Sequence, residues 1–203
     1  MSKVVLASNN AGKLAEFSAI LEPAGIEMIP QGQLGVPEAD EPFITFVENA
    51  LAKARHASRL TGLPALSDDS GLSVAALNGA PGVFSARYAA LSGGEKSDEA
   101  NNRHLLEQLA GKTDRSACYV AVLVYLRYAD DPRPIIAQGE WQGEIATEAA
   151  GSNGFGYDPY FFLPSHGKTV AQLHPTQKNA LSHRAQALQE LLRVLRRPAM
   201  PTA

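Results

Sequence analysis

Residues 3–22, KVVLASNNAGKLAEFSAILE, carry two different periodicities on either side of a polar turn. Residues 3–7 are rich in β-branched residues, the composition of a short buried strand. From residue 12 to 22, Leu14, Phe17, Ile20 and Leu21 recur at helical spacing, and Pro23 and Gly25 end the pattern. Between them lies SNNAGK, Ser8, Asn9, Asn10, Ala11, Gly12 and Lys13. A loop from strand to helix turns backbone N–H groups and the helix's positive end toward any anion. Asn9, Asn10 and Gly12 tolerate unusual backbone angles, and Lys13 offers a point charge to a phosphate. The GxxxxGK[ST] spacing of a Walker loop is absent, and an ordinary polar turn is the competing reading.

Working outward, the chain keeps mixing the two periods. Residues 27–30 predict a second strand. Residues 45–61 predict a helix with Phe46, Ala50, Ala54, Ala57 and Leu60 on one stripe, closed by Gly62 and Pro64. Residues 63–67 return to strand, 72–77 fit either a strand or a short helix, and 97–109 predict a third helix ended by Gly111. A long strand is expected over 117–128, and one or two more over 134–147, broken around Gly139 and Gly143. A last helix spans 176–196, with Leu181, Ala185, Leu188, Leu192 and Leu195 on one face. The sum is α/β: a mixed sheet with helices, in two lobes around a cleft, within a single domain over 1–203.

Composition narrows the function classes. With 203 residues and 45% apolar content, the core needs no disulfide or structural metal. The single cysteine, Cys118, lies in the apolar run CYVAVLVYL (118–126), which predicts a core residue and suits a reducing compartment. A net charge of −3, from 18 Lys+Arg against 21 Asp+Glu, argues against a polymeric nucleic acid but leaves room for one nucleotide. The run at 118–126 is far short of the roughly 20 residues of a membrane span, and residues 4–7 alone make no signal peptide. A soluble, cytoplasmic protein without membrane contact is expected.

Residues 63–72, LPALSDDSGL, end an apolar run in two adjacent acids. Asp68 and Asp69 repel each other, and a hard divalent cation would relieve that; Mg²⁺ suits one or two carboxylates together with substrate phosphates. A carboxylate not fully occupied by metal could orient or deprotonate a water. A turn capped by Asp side chains is the alternative. Glu41, in EADE (38–41), could join the same metal if its loop folds back, and Asn49 and Lys53 share a helical face.

GSNGFGYDP (151–159) holds three glycines, two aromatics and an aspartate, a composition that is costly to order unless something approaches closely. Phe155, flanked by glycines, could present a stacking platform for a base, and Asp158 could accept from a ring edge or orient a partner. A tight turn with Phe155 and Tyr157 in the core is the other reading. The last helix opens with Lys178, His183 and Arg184, whose donors suit an acceptor such as a carbonyl oxygen, although a His or Arg on such a helix is more often a surface residue.

Taken in order, S-x-N-x-x-K, TFVENALAKA, SDDSGL, GAPGVFSARYA, GFGYDP and K-N-x-x-SHR resemble the inosine/xanthosine triphosphate pyrophosphatase family, which clears damaged purine nucleotides. The resemblance runs from Lys3 to about Leu195. It implies a long mixed sheet in two lobes, an active cleft, a homodimer, and Mg²⁺-dependent hydrolysis of a purine nucleoside triphosphate to the monophosphate and pyrophosphate. On that pattern Asp69 matches the catalytic and metal position, with Asp68 beside it and Glu41 assisting. Residues 8–13 match the phosphate loop, Lys53 a triphosphate-facing lysine and Ser70 a substrate contact. Phe155, Gly156, Tyr157 and Asp158 match the base-binding segment, completed by Lys178, His183 and Arg184. Two stretches depart from the pattern: LHPTQ precedes Lys178 where an acidic run is usual, and Pro42-Phe43 replaces Thr-Gly after Glu41. A phosphatase releasing orthophosphate and a non-enzymatic nucleotide sensor are the rival classes.

Overall fold

The computed structural model describes residues 2–196. Its strands are β1 (Ser2–Leu6), β2 (Ile26–Pro30), β3 (Ala65–Val74), β4 (Ser116–Leu126), β5 (Ile135–Ile145), β6 (Phe161–Leu163) and β7 (Lys168–Thr169). They form one sheet in the order β2-β1-β3-β4-β5-β6-β7. β1 runs parallel to β2, with Val4 opposite Met28, and parallel to β3, with Val5 opposite Ala65. β6 is antiparallel to β5 and β7, with Ile145 opposite Phe161 and Leu163 opposite Lys168. The helices are α1 (Ala11–Leu21), α2 (Phe46–Thr61), α3 (Asp98–Gln108), α4 (Pro175–Leu181) and α5 (His183–Leu195). This is the mixed α/β sheet with flanking helices that the two periodicities predict. None of the described helices is long and apolar enough to cross a membrane.

The chain divides into two compact units. Among the described residues, the first holds 2–69, Val122–Gly139 and 184–196; the second holds Ser70–Ala121 and Glu140–His183. In the first, Ala50, Ala54 and Ala57 of α2 pack with Val5, Ala65 and Val124. Alanines at this spacing bring the helix backbone close to β-branched strands. Thr45 caps α2 by accepting from the Glu48 N–H, and Gly62, at φ 70°, closes it in the left-handed region. The second unit has its own core around Leu72, Leu105, Tyr119, Trp141, Phe161 and Leu163.

The structure corrects four expectations. The acid pair lies inside β3, which runs on to Val74, because the buried carboxylates find cations and the strand need not stop for water. β5 is unbroken through Gly139 and Gly143. A Cβ at Gly143 would lie 2.5 Å from the Phe161 ring and 2.6 Å from the Phe162 carbonyl, so this glycine marks close strand approach rather than a break. The expected last helix is two helices: Ser182 is extended (φ −61°, ψ 155°) between α4 and α5, and Leu181 is exposed instead of sharing a face with Leu188. Cys118 is only half-buried, because alternation along β4 turns Ala117 and Tyr119 into the core and Cys118 the other way.

Candidate active site

In the first unit, β1 delivers the polar turn directly into α1. Asn10 caps that helix by accepting from the Lys13 N–H at 3.0 Å, and its own N–H donates to Ser8 Oγ at 3.2 Å. Asn9 Oδ1 accepts from the Gly32 N–H at 2.8 Å, and a Cβ at Gly32 would come within 2.6 Å of that oxygen. The loop is therefore held by its own side chains, with Gly12 and Ala11 exposed at the helix start.

Two buried acids sit next to one another with different partners. Asp68 Oδ2 meets Lys13 Nζ at 2.9 Å and Arg184 Nε at 3.0 Å, and Arg184 Nη1 reaches Glu16 Oε2 at 2.6 Å. Burial alone would raise the Asp68 carboxyl, but the Arg184 guanidinium and the Lys13 ammonium outweigh it and hold the group well below the usual carboxylate range. Arg184 is likewise favoured as a cation: burial opposes its charge, and Asp68 and Glu16 more than offset that.

Asp69 behaves in the opposite way. Its Oδ1 accepts from Lys53 Nζ at 2.8 Å, while Oδ2 is buried without a hydrogen-bond partner. Burial raises the Asp69 carboxyl above its ordinary value; Lys53 opposes the rise, and Glu41 and Asp68 add to it. Lys53 gives its other donors to Glu41 Oε1 at 2.7 Å and to the Asp68 carbonyl at 3.0 Å. One ammonium thus gathers two carboxylates and a main-chain oxygen. Burial lowers the Lys53 ammonium, but Asp69 and Glu41 carry it above its usual value.

In the second unit the glycine-rich segment wraps around Asp158. Asp158 Oδ1 accepts from the Tyr119 hydroxyl at 3.1 Å; Oδ2 accepts from the Phe155 N–H at 3.0 Å and from Lys178 Nζ at 2.6 Å. At Gly154, with φ 80°, a Cβ would fall 2.0 Å from Asp158 Oδ2, so the aspartate can fold under the loop only because residue 154 has no side chain. Phe155 is half exposed, with Lys178 Nζ 4.5 Å from its ring centroid. Tyr157 is buried and donates to the Ser85 carbonyl at 2.8 Å. The expected division is thus resolved: Tyr157 belongs to the core and Phe155 to the surface. His183 is buried and stacks on Tyr119, centroids 4.9 Å apart.

The structure brings Asp68, Asp69, Glu41, Lys53 and Lys13 into one charged group, and Phe155, Asp158 and Lys178 into another. His183 and Arg184, adjacent in the chain, are buried rather than surface residues and serve different units: Arg184 joins Asp68, and His183 joins Tyr119. Ser70 lies half-buried in β3 directly after the acids. Asn49 holds the Phe43 N–H and carbonyl at 3.0 and 3.1 Å, so the Pro42-Phe43 loop is ordered and Glu41 reaches Lys53. His174 caps α4 with Pro175 in the first turn, and Lys178 on that helix reaches Asp158. Sequence reasoning missed Glu16, Tyr119, Asp98 and Asn102. Glu16 stands three residues after Lys13, on the same helical face; the others carried no local signal.

In fold and charge pattern this is a mixed-sheet α/β protein with a buried acid pair matched by lysine and arginine, and with an aromatic borne on a glycine loop. The chain belongs to the Ham1 family, whose model matches residues 4–194. It is 65% identical over 196 residues to the dITP/XTP pyrophosphatase of Ralstonia nicotianae, covering 97% of this chain and 98% of that one. It is 63% identical to the dITP/XTP pyrophosphatase of Neisseria meningitidis serogroup A, covering 95% of this chain and 96% of that one. A solved HAM1 protein from Coxiella burnetii matches with a TM-score of 0.90 and 52% identity, over 96% of this chain and 98% of that one.

Proposed function

We propose that this chain hydrolyses non-standard purine nucleoside triphosphates, dITP, ITP and XTP, to the monophosphate and pyrophosphate. The relatives' activity supports the substrate class, and one observation carries the chemistry: Asp69 is buried, anchored through Oδ1 to Lys53, and keeps Oδ2 without a partner. Such an oxygen can accept a proton from water.

The donor set fits Mg²⁺. Glu41 Oε1 and Asp69 Oδ1 share one ammonium, so two carboxylate oxygens converge there, donors of the kind this hard cation takes. When bound there, Mg²⁺ would neutralise phosphate charge and polarise the phosphoryl oxygens. Asp68 acts differently, because its Oδ2 holds Lys13 and Arg184 in place.

Water attacks the α-phosphorus, its proton passes to Asp69 Oδ2, and the bond to the bridging oxygen breaks, so that oxygen leaves with pyrophosphate. The raised Asp69 carboxyl makes it a stronger base than an ordinary aspartate. Residues 8–13 supply N–H donors and the Lys13 ammonium for the phosphate chain. The three donors of Lys53 are directed to Glu41, Asp69 and the Asp68 carbonyl, so its main work is to position the acids; direct contact with a phosphate would require one of those bonds to open. Phe155 offers its exposed ring to the purine, and Lys178 and His183 supply donors for a 6-oxo group. Adenine presents a 6-amino donor there, which would leave those donors unpaired.

The test is an incubation with Mg²⁺ and, separately, ITP, XTP, GTP and ATP, resolving pyrophosphate from orthophosphate. Pyrophosphate with IMP or XMP, and little product from ATP, is expected. Orthophosphate with a diphosphate would overturn attack at the α-phosphorus.

A further inference from the structure

The N-terminal turn of α3 holds the backbone of Gly156 on both sides. The Gly156 N–H donates to Asp98 Oδ2 at 2.7 Å, and the Gly156 carbonyl accepts from Asn102 Nδ2 at 2.9 Å. These two groups belong to the peptide planes that flank Gly156, one shared with Phe155 and the other with Tyr157. Gly156 sits at φ 62°, where glycine has many neighbouring conformations available, so the loop does not fix itself there.

Asn102 is oriented without ambiguity. Its Nδ2 also donates to the Asp98 carbonyl at 2.9 Å, and with two carbonyl oxygens at this atom the amide cannot be reversed. Its Oδ1 is then buried with no hydrogen-bond partner.

We infer that Asp98 and Asn102 are positioning residues that set the plane of the Phe155 ring, and through it the discrimination among purine bases. The Phe155 N–H is fixed by Asp158, and the peptide after Phe155 is fixed by Asp98, so both ends of the residue are pinned while its ring stays half exposed. A ring borne on a glycine loop keeps one orientation only if its backbone does. This inference rests on the reading of Phe155 as the base platform.

The experiment compares the parent with Asp98→Ala, Asp98→Asn and Asn102→Ala. It reads KM and kcat for ITP and XTP, inhibition by pyrophosphate with Mg²⁺, and amide exchange at Gly156. Losing the charge-assisted bond in Asp98→Ala should raise KM for ITP about tenfold, with the loss falling on KM more than on kcat. Asp98→Asn keeps an acceptor oxygen and should recover most of it. Asn102→Ala should move KM in the same direction. Pyrophosphate carries no base, so its inhibition should hold, and exchange at Gly156 should accelerate in Asp98→Ala. Unchanged KM in Asp98→Ala, or a parallel loss of pyrophosphate inhibition, would overturn the inference. A parent inactive on ITP refutes the pyrophosphatase reading instead. Amide exchange then decides the clamp by itself: protection in the parent that is lost in Asp98→Ala sustains it, and equal rates overturn it.

Discussion

Lys53 Nζ lies 2.8 Å from Asp69 Oδ1, while the other oxygen of that carboxylate is buried without a hydrogen-bond partner. The pairing fixes the side chain by one oxygen and leaves the second able to take a proton. Asp69→Asn keeps the shape and the acceptor toward Lys53 but removes the basic oxygen. It is expected to lower kcat on ITP by about 10²–10⁴, the range of a positioned general base, with a much smaller change in affinity for IMP. Steady-state kinetics with calorimetric IMP titration separates the two; retained kcat would contradict the role.

The pH profile follows from the same pair. Asp69 must be ionised to accept a proton, and burial raises its carboxyl, so the acid limb of kcat/KM should lie above the ordinary aspartate range of roughly pH 4. Lys53 is the cation that pulls Asp69 down. Removing it in Lys53→Met should therefore move the limb to higher pH. A limb that stays fixed or moves lower would show that another group titrates.

Asp68 contributes to stability rather than to proton transfer. Asp68→Asn would strip the counter-charge from Arg184 and Lys13 at a fully buried position, at a cost of about 3–5 kcal/mol. The sign of the linkage is set by the depressed carboxyl: its stabilisation is complete above the usual aspartate range and fades as the pH falls through and below it. Denaturant melts of the parent should lose stability on acidification, and Asp68→Asn should lose less. Equal acid slopes in the two proteins would rule Asp68 out as the source.

Much of this arrangement is legible in the sequence because it is local. The turn at 8–13 is a strand meeting a helix, and the alanine stripe of α2 is visible as period. The acid pair, Phe155 and Asp158 stand out by composition alone. What is hidden is tertiary. Nothing near Gly143 announces that Phe161 will occupy the place of its side chain, so the strand looks broken there. Nothing around Ser182 signals an extended residue between two helices, because Ala180 and Leu181 continue a helical pattern. Asp98 and Asn102 resemble an ordinary polar helix start, and only the fold brings them to Gly156. Arg184 looks like a surface cation until the fold gives it Asp68 and Glu16.

Gly154 offers a test of the base-side geometry that spares the acids. Gly154→Ala places a methyl group within 2.0 Å of Asp158 Oδ2 at a positive φ, so the loop must shift and the bonds from Asp158 to Lys178 and Phe155 must loosen. Phe155→Ala removes the platform itself, and base stacking of about 1–3 kcal/mol predicts a 5- to 150-fold fall in kcat/KM for ITP. Both variants should retain inhibition by pyrophosphate. Unaltered kcat/KM in Phe155→Ala would remove the ring from the account.

The most direct measurement is turnover of ITP with Mg²⁺ in ¹⁸O-labelled water, with mass analysis of both products. Attack on the α-phosphorus by water deprotonated at Asp69 places the label in IMP and leaves pyrophosphate unlabelled. Label in pyrophosphate, or labelled orthophosphate, would contradict it.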